Sequence, residues 1–336
     1  MKAYRVNRRS LLVGIAAAPA IVCVARAAPL TMRLSSSLPN NPKFANGRVY
    51  YDNLVKRLAA NGLADRIDVQ FFPDNQLGQE IDVVNSVSLG VIDLMVTGTS
   101  IWANVVPLIG LLDLGYLFES FPQQTKALET GAAKPLEQAL KTGANVQIIG
   151  WAYNFGSRSV MCKSPVNAPK DLAGKRIRTL PNKIITECLK LMGAAATPMA
   201  FGEIYTALQA GVLDGLEHDP PTVAASKFYE AAKFYSLTQH NFSALGVFCS
   251  SLALNRMDAP LRDQFLTAAA EAAVDTRVRG LEAEKEAIET LKQKGVEIIA
   301  CDREPFRKLT LPQTDNFIKA HPEAKPIIDI VRNVKA

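Results

Sequence analysis

The sequence RIDVQFFPDNQLGQEIDVVNSVSLGVIDLMVT, residues 66–97, contains a complete strand-helix-strand unit. Residues 66–73 alternate apolar and polar side chains, as expected of a strand with one buried face. Residues 79–89 carry apolar residues at helical spacing and are followed by Gly90, which is typical of a helix end. Residues 91–97 are a second apolar strand. Two strands joined by one helix through short loops predict a parallel α/β sheet.

The same kinds of element are predicted on both sides of this unit. The further strands are 31–38, 145–153, 158–162 and 175–180, and the further helices are 43–61, 183–192 and 203–210. Residues 258–294 contain almost no Gly or Pro, which predicts either one very long helix that braces the molecule or two surface helices in sequence. Because 336 − 27 = 309 residues remain after the N-terminal leader described below, we expect two lobes rather than one core.

The first 27 residues have the three-part layout of a secretory signal peptide. A basic head is followed by the apolar run 11–24 and by the small-x-small pattern at 25–27, after which a signal peptidase cuts. The run is shorter than the roughly 20 apolar residues needed to span a bilayer. The pair Arg8 and Arg9, directly before the run, indicates the twin-arginine route. These features predict a periplasmic protein, and the alternative is a buried N-terminal helix.

Net charge gives no support to nucleic-acid binding. The chain is +6, but its first 27 residues carry five basic residues and no acidic one, so the mature chain is 6 − 5 = +1. Only three histidines occur and no Cys-x-x-Cys, so neither a metal site nor a cofactor is expected. No further apolar run is long enough to span a membrane, and we expect a soluble mature protein. Four widely spaced cysteines remain, and their spacing leaves disulfide formation open: Cys162, Cys188, Cys249 and Cys301.

Four blocks of the sequence carry a resemblance to a known family. They are FPDNQLG with LGVID (72–78 and 89–93), GSRS (156–159), DLAGKRIR (171–178) and TPMAFGEIYTALQAGVLDG (197–215). In order and spacing they resemble the solute receptors of TRAP transporters of the DctP type. The likeness covers nearly the whole mature chain.

The resemblance implies a periplasmic binding protein with two α/β lobes, crossing strands, a long bracing helix and a ligand cleft between the lobes. It implies that the protein delivers a small carboxylate to the small and large membrane subunits of an ion-driven transporter. We expect the first lobe to comprise 28–153 with about 244–284, and the second 154–243 with about 285–336. We also expect a monomer and no enzymatic activity.

Two arginines of the strand 175–180 are candidates for the ligand carboxylate. Alternation places Arg176 and Arg178 on one face, so periodicity does not choose between them. Arg178 lies nearer the carboxyl end of the strand, where ligands of α/β sheets bind, and it matches the family's carboxylate-binding arginine. A guanidinium suits this role because it offers a carboxylate two parallel N–H donors. The resemblance also implies an auxiliary contact from Arg158.

Three further residues of the second lobe are candidates by resemblance. Phe201 matches an aromatic residue that packs on the ligand. His218 stands where the family usually has asparagine, and because an imidazole can become cationic, its ligand contact is expected to depend on pH. Asp219 or Glu217 is expected to orient this ring or to accept hydroxyl protons from the ligand.

The first lobe offers candidates at strand ends and at a helix start. The resemblance implies that ligands meet this lobe at Ser35, Ser36 and Ser37, at Gln79 and Glu80, and along 97–102. Sialic-acid receptors carry charged residues in the last stretch, whereas this chain has none, which disfavours sialic acid. Trp102 is expected either to stack on a ring of the ligand or to belong to the core.

An enzyme is the main competing class. No Gly-x-Ser-x-Gly, His-Glu-x-x-His, Gly-x-Gly-x-x-Gly or phosphate-loop motif occurs. A receptor for an ATP-driven importer is a second alternative. Serines, Thr99, His218 and Asp219 near two arginines favour a hydroxylated monocarboxylate such as a sugar acid, while oxo acids, dicarboxylates and aromatic acids stay open.

Overall fold

A computed structural model describes residues 28–334, except for the side chains of residues 153 and 154. The predicted signal peptide, residues 1–27, lies outside the described residues. Within them, one mixed sheet has nine strands in the order β2-β1-β3-β8-β4-β7-β5-β6, and β9 pairs with β8. The strands are β1 (Leu30–Ser35), β2 (Ile67–Phe72), β3 (Leu94–Gly98), β4 (Val146–Cys162), β5 (Arg176–Thr179), β6 (Ala195–Pro198), β7 (Gly215–His218), β8 (Phe234–Ser250) and β9 (Glu297–Ile299).

Helices alternate with these strands along much of the chain. They are α1 (Asn46–Ala60), α2 (Glu80–Ser88), α3 (Phe121–Ala127), α4 (Ala133–Ala144), α5 (Lys183–Leu191), α6 (Ile204–Gln209), α7 (Pro220–Ala225), α8 (Ser251–Leu254), α9 (Ala259–Gln293), α10 (Glu304–Ala320) and α11 (Lys325–Asn333). Short 3-10 turns include Thr99–Asn104 and Pro107–Asp113, which follow β3. The α/β class is confirmed, and β1 with β2 and β3, like β5 with β6 and β7, pair in parallel as predicted.

Two long strands connect the lobes. β4 and β8 have 17 residues each and pair antiparallel from Val146 with Ser250 to Cys162 with Phe234. The prediction of separate strands at 145–153 and 158–162 is therefore wrong. The pairing register shifts between residues 154 and 157, where Gly156 has φ +64°, so one continuous strand loses its regular alternation there.

The segment 258–294 forms one unbroken helix, α9. Of the two predicted possibilities, one long helix is therefore correct and two helices in sequence is wrong. Asp258 caps it, and its Oδ1 accepts a hydrogen bond from the backbone N–H of Leu261. The first half of α9 is buried against α1 and β4, and the second half packs on α7 and β9. At Gly150 of β4 an added Cβ would lie 2.7 Å from the Cβ of Ala273, so this glycine permits the close approach of helix and strand.

Buried apolar clusters fill each lobe and also join them. Leu34, Tyr50 and Phe265 belong to the cluster of the first lobe, and Leu216 with Leu291 to that of the second. A third cluster contains residues of the turn Pro107–Asp113 together with residues of α5 and α10, so it crosses between the lobes. The C-terminal helix α11 packs on α3, which we predicted in the first lobe.

The cysteines of residues 28–334 are all free thiols. No cluster of three or more His, Cys, Asp or Glu side chains in that part of the chain could hold a metal ion. No helix there combines the length and the apolar character needed to cross a membrane.

Candidate ligand-binding site

A narrow cavity lies between the lobes, where strand ends from both lobes meet. Its walls follow or end β1 and β3 on one side and β5 and β7 on the other, which is where ligands of α/β sheets bind. The lining residues are Ser37, Leu38, Glu80, Thr97, Gly98, Ser100, Ile101, Phe155, Arg158, Leu180, Phe201 and His218.

Arg178 lies beside this cavity and is fully buried. Its guanidinium carbon is 6.0 Å from the centre of the Phe201 ring, and its Nε donates a hydrogen bond of 2.9 Å to the backbone carbonyl of Met199. The two terminal nitrogens of Arg178 are buried and have no hydrogen-bond partner among the described residues. Burial lowers the pKa of Arg178 to about 10, so the side chain remains cationic at neutral pH. A buried cation with two unsatisfied donors is suited to an anion that offers two acceptors.

The neighbouring arginine has a different environment. The Arg176 side chain is 48% exposed and pairs with Asp214, with 2.8 Å between Nη2 and Oδ1. It also donates a hydrogen bond to the backbone carbonyl of Gly211. Arg176 is therefore engaged at the surface, whereas Arg178, two residues further along β5, is enclosed.

Arg158 lines the cavity and is paired within the protein. Its Nε and Nη2 donate to the two carboxylate oxygens of Glu217 at 2.5 and 2.7 Å. Burial opposes ionisation of Glu217, but the Arg158 charge outweighs burial and holds the pKa of this carboxyl below its ordinary range. The Nε2 of His240 lies 3.5 Å from a Glu217 oxygen. The Arg158 charge is thus compensated, in contrast to that of Arg178.

His218 forms part of the cavity wall between two aromatic rings. The ring centres of Phe155 and Phe201 lie 5.6 and 5.7 Å from that of His218, both edge to face. Burial and the nearby positive charge of Arg158 lower the pKa of His218, so the ring is neutral at pH 7. The Nδ1 of His218 contacts the carboxylate of Asp219.

Asp219 supports the wall from outside the cavity. Its Oδ2 accepts a 3.1 Å hydrogen bond from the backbone N–H of Thr222 and so caps α7. An added Cβ on Gly156 would lie 1.7 Å from the Cβ of Asp219, so only glycine fits beside this cap. Asp219 therefore positions His218 and does not line the cavity.

The first-lobe wall is centred on Glu80, the first residue of α2. Its Oε1 accepts hydrogen bonds of 3.0 Å from the hydroxyls of both Ser37 and Thr97. Each of these hydroxyls lies at or beyond a strand end, so three elements hold one carboxylate in place. The second oxygen of Glu80 receives no hydrogen bond from these two residues.

Two predicted first-lobe residues lie away from the cavity. Ser36 is buried against α1, where an added Cβ on Gly47 would lie 2.4 Å from its hydroxyl oxygen, and it is Ser37 that lines the cavity. Trp102 is buried in the core and stacks on Phe248 with 4.8 Å between ring centres. The core position was one of the two possibilities that the sequence left open for this tryptophan.

Three cavity residues were not predicted as parts of the site: Leu38, Phe155 and Leu180. Ser37 and Thr97, by contrast, lie in the stretches expected to meet the ligand. The Arg158–Glu217 pair joins residues 59 positions apart on adjacent strands, and only the strand order could have indicated it.

The model of the bacterial extracellular solute-binding protein family 7 matches residues 50–320. The chain belongs to this family. The 2,3-diketo-L-gulonate-binding periplasmic protein YiaO of Escherichia coli is 29% identical to this family 7 protein over 271 residues, which are 80% of this chain and 82% of YiaO.

Solved structures of TRAP periplasmic solute-binding proteins share the fold. One from Polaromonas, bound to D-erythronate, has a TM-score of 0.85 and 30% identity, and the match covers 91% of this chain and 99% of that chain. One from Xanthobacter autotrophicus, with bound β-D-galacturonate, has a TM-score of 0.85 and 26% identity, with 90% and 100% covered. The predictions of an extracytoplasmic solute receptor of the TRAP type, and not of an enzyme, are confirmed for this family 7 protein.

Proposed function

We propose that this family 7 protein binds a hydroxylated monocarboxylate of the sugar-acid class and delivers it to TRAP membrane subunits. Arg178 binds the carboxylate in this proposal. The observation that carries it is the fully buried guanidinium with two terminal nitrogens that lack a partner within residues 28–334. A carboxylate accepts one hydrogen bond from each nitrogen and neutralises the charge.

The charges around the cavity favour a ligand with one carboxylate over a ligand with two. Arg158 and Glu217 cancel each other, so Arg178 contributes the uncompensated positive charge of the second-lobe wall. Glu80 contributes a carboxylate on the first-lobe wall. A second anionic group on the ligand would therefore face like charge at Glu80, and like charges in a confined site repel strongly.

The Glu80 carboxylate is also a reason to expect hydroxyl groups on the ligand. Ser37 and Thr97 already donate to one oxygen, so the other is suited to accept hydrogen bonds from ligand hydroxyls. The aromatic rings of Phe155 and Phe201 and the neutral ring of His218 suit the carbon skeleton of a sugar acid. The relatives bound to D-erythronate and β-D-galacturonate are consistent with this class.

We propose further that the two lobes divide at residues 153/154 and 243/244. We also propose that α11, which packs on α3, belongs to the first lobe and not, as the sequence led us to expect, to the second. The register shift of β4 and β8 at this level supports a hinge there. A monomer is also part of the proposal, as expected from the sequence. Light scattering coupled to size-exclusion chromatography tests this point.

Thermal shift followed by calorimetry tests the ligand class. The purified mature protein is mixed with D-erythronate, D-galacturonate and D-glucuronate, because a ligand that binds only the folded state raises the melting temperature. D-galactose is the control without a carboxylate, and galactarate is the control with two. We expect stoichiometric binding of at least one monocarboxylate, no binding of galactose and weak binding of galactarate. Preferential binding of galactarate or of an unhydroxylated aromatic acid would overturn the proposed class.

A further inference from the structure

A buried hydrogen-bond cluster joins the two lobes next to the cavity. The side-chain Nδ2 of Asn182 donates to the backbone carbonyl of Ser100 at 2.6 Å and to Oδ2 of Asp113 at 3.3 Å. The hydroxyl of Ser100 donates to Oδ1 of Asp113 at 2.5 Å. Ser100 and Asp113 belong to the proposed first lobe and Asn182 to the second. All three side chains are buried.

Asn182 has a separate task in its own lobe. It is the N-cap of α5, and its Oδ1 accepts a 2.9 Å hydrogen bond from the backbone N–H of Ile185. One end of this amide therefore stabilises a helix of the second lobe, while the other end reaches the first lobe. The two tasks can be separated by substitution, because an aspartate keeps the capping oxygen and loses the donor.

We propose that Asn182 and Asp113 form a latch that stabilises the closed arrangement of the lobes and thereby sets ligand affinity. Ser100 links the latch to the ligand, since the same residue bonds Asp113 and lines the cavity. The apparent affinity of a receptor that binds only in its closed form is proportional to the fraction of molecules that are closed. Asn182 and Asp113 are therefore positioning residues that do not themselves line the cavity.

A second bond between the lobes provides a matched control. The Nδ2 of Asn104 donates to the backbone carbonyl of Pro181 at 2.9 Å, but this contact is exposed to solvent. Water can replace an exposed hydrogen bond, whereas a buried group that loses its partner keeps the full desolvation penalty. The structure thus contains one buried and one exposed bond between the same two segments.

The variants Asn182→Asp, Asp113→Asn, their combination and Asn104→Ala test the latch. The probe is D-galacturonate or, if another monocarboxylate of the panel binds more tightly, that acid. Association and dissociation rates are measured for each variant, and the melting temperature of each ligand-free protein is compared. We expect Asn182→Asp to weaken binding about 10- to 100-fold, mainly through faster dissociation, because it removes the buried donor that joins the two lobes.

The double variant exchanges donor and acceptor, so we expect it to recover at least part of the lost affinity. Asn104→Ala is expected to bind within about threefold of the unsubstituted protein. Unchanged affinity in Asn182→Asp, no recovery in the double variant or an equal loss in Asn104→Ala would each overturn the latch. A drop of the ligand-free melting temperature that accounts for the whole loss would also overturn it, since the role would then be structural.

This inference rests on the proposed function only for the choice of probe. Small-angle scattering of the ligand-free proteins compares the lobe separation without any ligand, and Asn182→Asp is expected to be more open. If no acid binds the unsubstituted protein but the scattering differs as expected, the ligand class fails and the latch stands. If acids bind and the scattering and affinities are the same in all variants, the latch fails and the ligand class stands.

Discussion

The two walls of the cavity present opposite charges that are held in different ways. On the second lobe, Arg178 is buried, and only its Nε has a partner within the described residues. On the first lobe, Glu80 is half-buried and is held by two hydroxyl donors, Ser37 and Thr97. One wall therefore lacks an acceptor, whereas the other holds an acceptor already in position. This difference predicts the orientation of the ligand, with its carboxylate toward Arg178 and its hydroxyls toward Glu80.

The contrast also explains how ligand binding and closure are coupled. Enclosing an unpaired guanidinium removes its hydration, and the lowered pKa of Arg178 reflects this penalty. A carboxylate between the lobes offsets the penalty, so closure is more favourable with the ligand than without it. The Arg158–Glu217 pair needs no such compensation, because its charges cancel inside one lobe.

The largest effect is expected at Arg178. Arg178→Ala leaves the ligand carboxylate desolvated without its partner, and truncating one member of such a pair costs roughly 2–5 kcal/mol, or about 30- to several-thousand-fold in affinity. Calorimetry with the best monocarboxylate of the panel measures this change. Arg178→Lys keeps the charge but loses the two parallel donors, so its affinity should fall between those of the unsubstituted protein and the alanine variant.

Arg176→Ala is the matched control on the same strand. Its side chain is half exposed and pairs with Asp214, so we expect ligand affinity within about threefold of the unsubstituted protein. Near-normal binding by Arg178→Ala together with lost binding by Arg176→Ala would show that the other arginine binds the carboxylate. If neither change altered ligand affinity, the assignment of a carboxylate-binding arginine on this strand would be wrong.

The sequence was more informative about the second wall than about the first. Position along β5 favoured Arg178 over Arg176, and the two environments found for them support that choice. On the first wall, the predicted strand 31–38 ends at Ser35 in the structure, and beyond this point alternation no longer tells which serine faces the ligand. The sequence therefore did not indicate that Ser37, rather than Ser36, lines the cavity.

Long-range pairing was also beyond the reach of local patterns. β4 was predicted as two strands because its register shift interrupts the alternation, although the chain continues through both lobes. The latch connects residues 69 positions apart, from a 3-10 turn to a helix cap, and nothing in either local sequence indicates the other. By contrast, the helical course of 258–294 was predictable from its composition, although the sequence left open whether it forms one helix or two.

Glu80→Gln tests the first-lobe wall, and its expected effect on ligand affinity is smaller than that of Arg178→Ala. The amide keeps an oxygen for Ser37 and Thr97 but removes the negative charge. We expect galacturonate to bind about 3- to 30-fold more weakly, because charged acceptors form stronger hydrogen bonds to hydroxyls than neutral ones. Galactarate should lose less affinity or gain some, because the repulsion of its second carboxylate disappears. Calorimetry with both acids gives the ratio, and an unchanged ratio would contradict a charge-selective role for Glu80.

The smallest effect is expected at His218 and appears as a change with pH. Because the pKa of His218 is lowered on burial, its contribution to the closed form is present above the ordinary pKa of about 6.5 and is lost as the pH falls below it. The pKa of Asp113 is raised by burial to about 7, so its contribution is full below about pH 4 and is lost as the pH rises through 7. The two groups therefore act in opposite directions between pH 5.5 and 7.5.

Separate variants resolve these two contributions. In Asp113→Asn, affinity should fall by up to about tenfold from pH 7.5 to 5.5, since His218 alone then drives the change. In His218→Asn, which carries the residue usual in the family, affinity should instead rise toward pH 5.5, and at pH 7.5 it should stay within a few-fold of the unsubstituted protein. Calorimetry at both pH values, in buffers of matched ionic strength, gives the two slopes. Equal slopes in the two variants would mean that neither side chain changes its protonation on closure, and the pH dependence assigned to His218 would then be wrong.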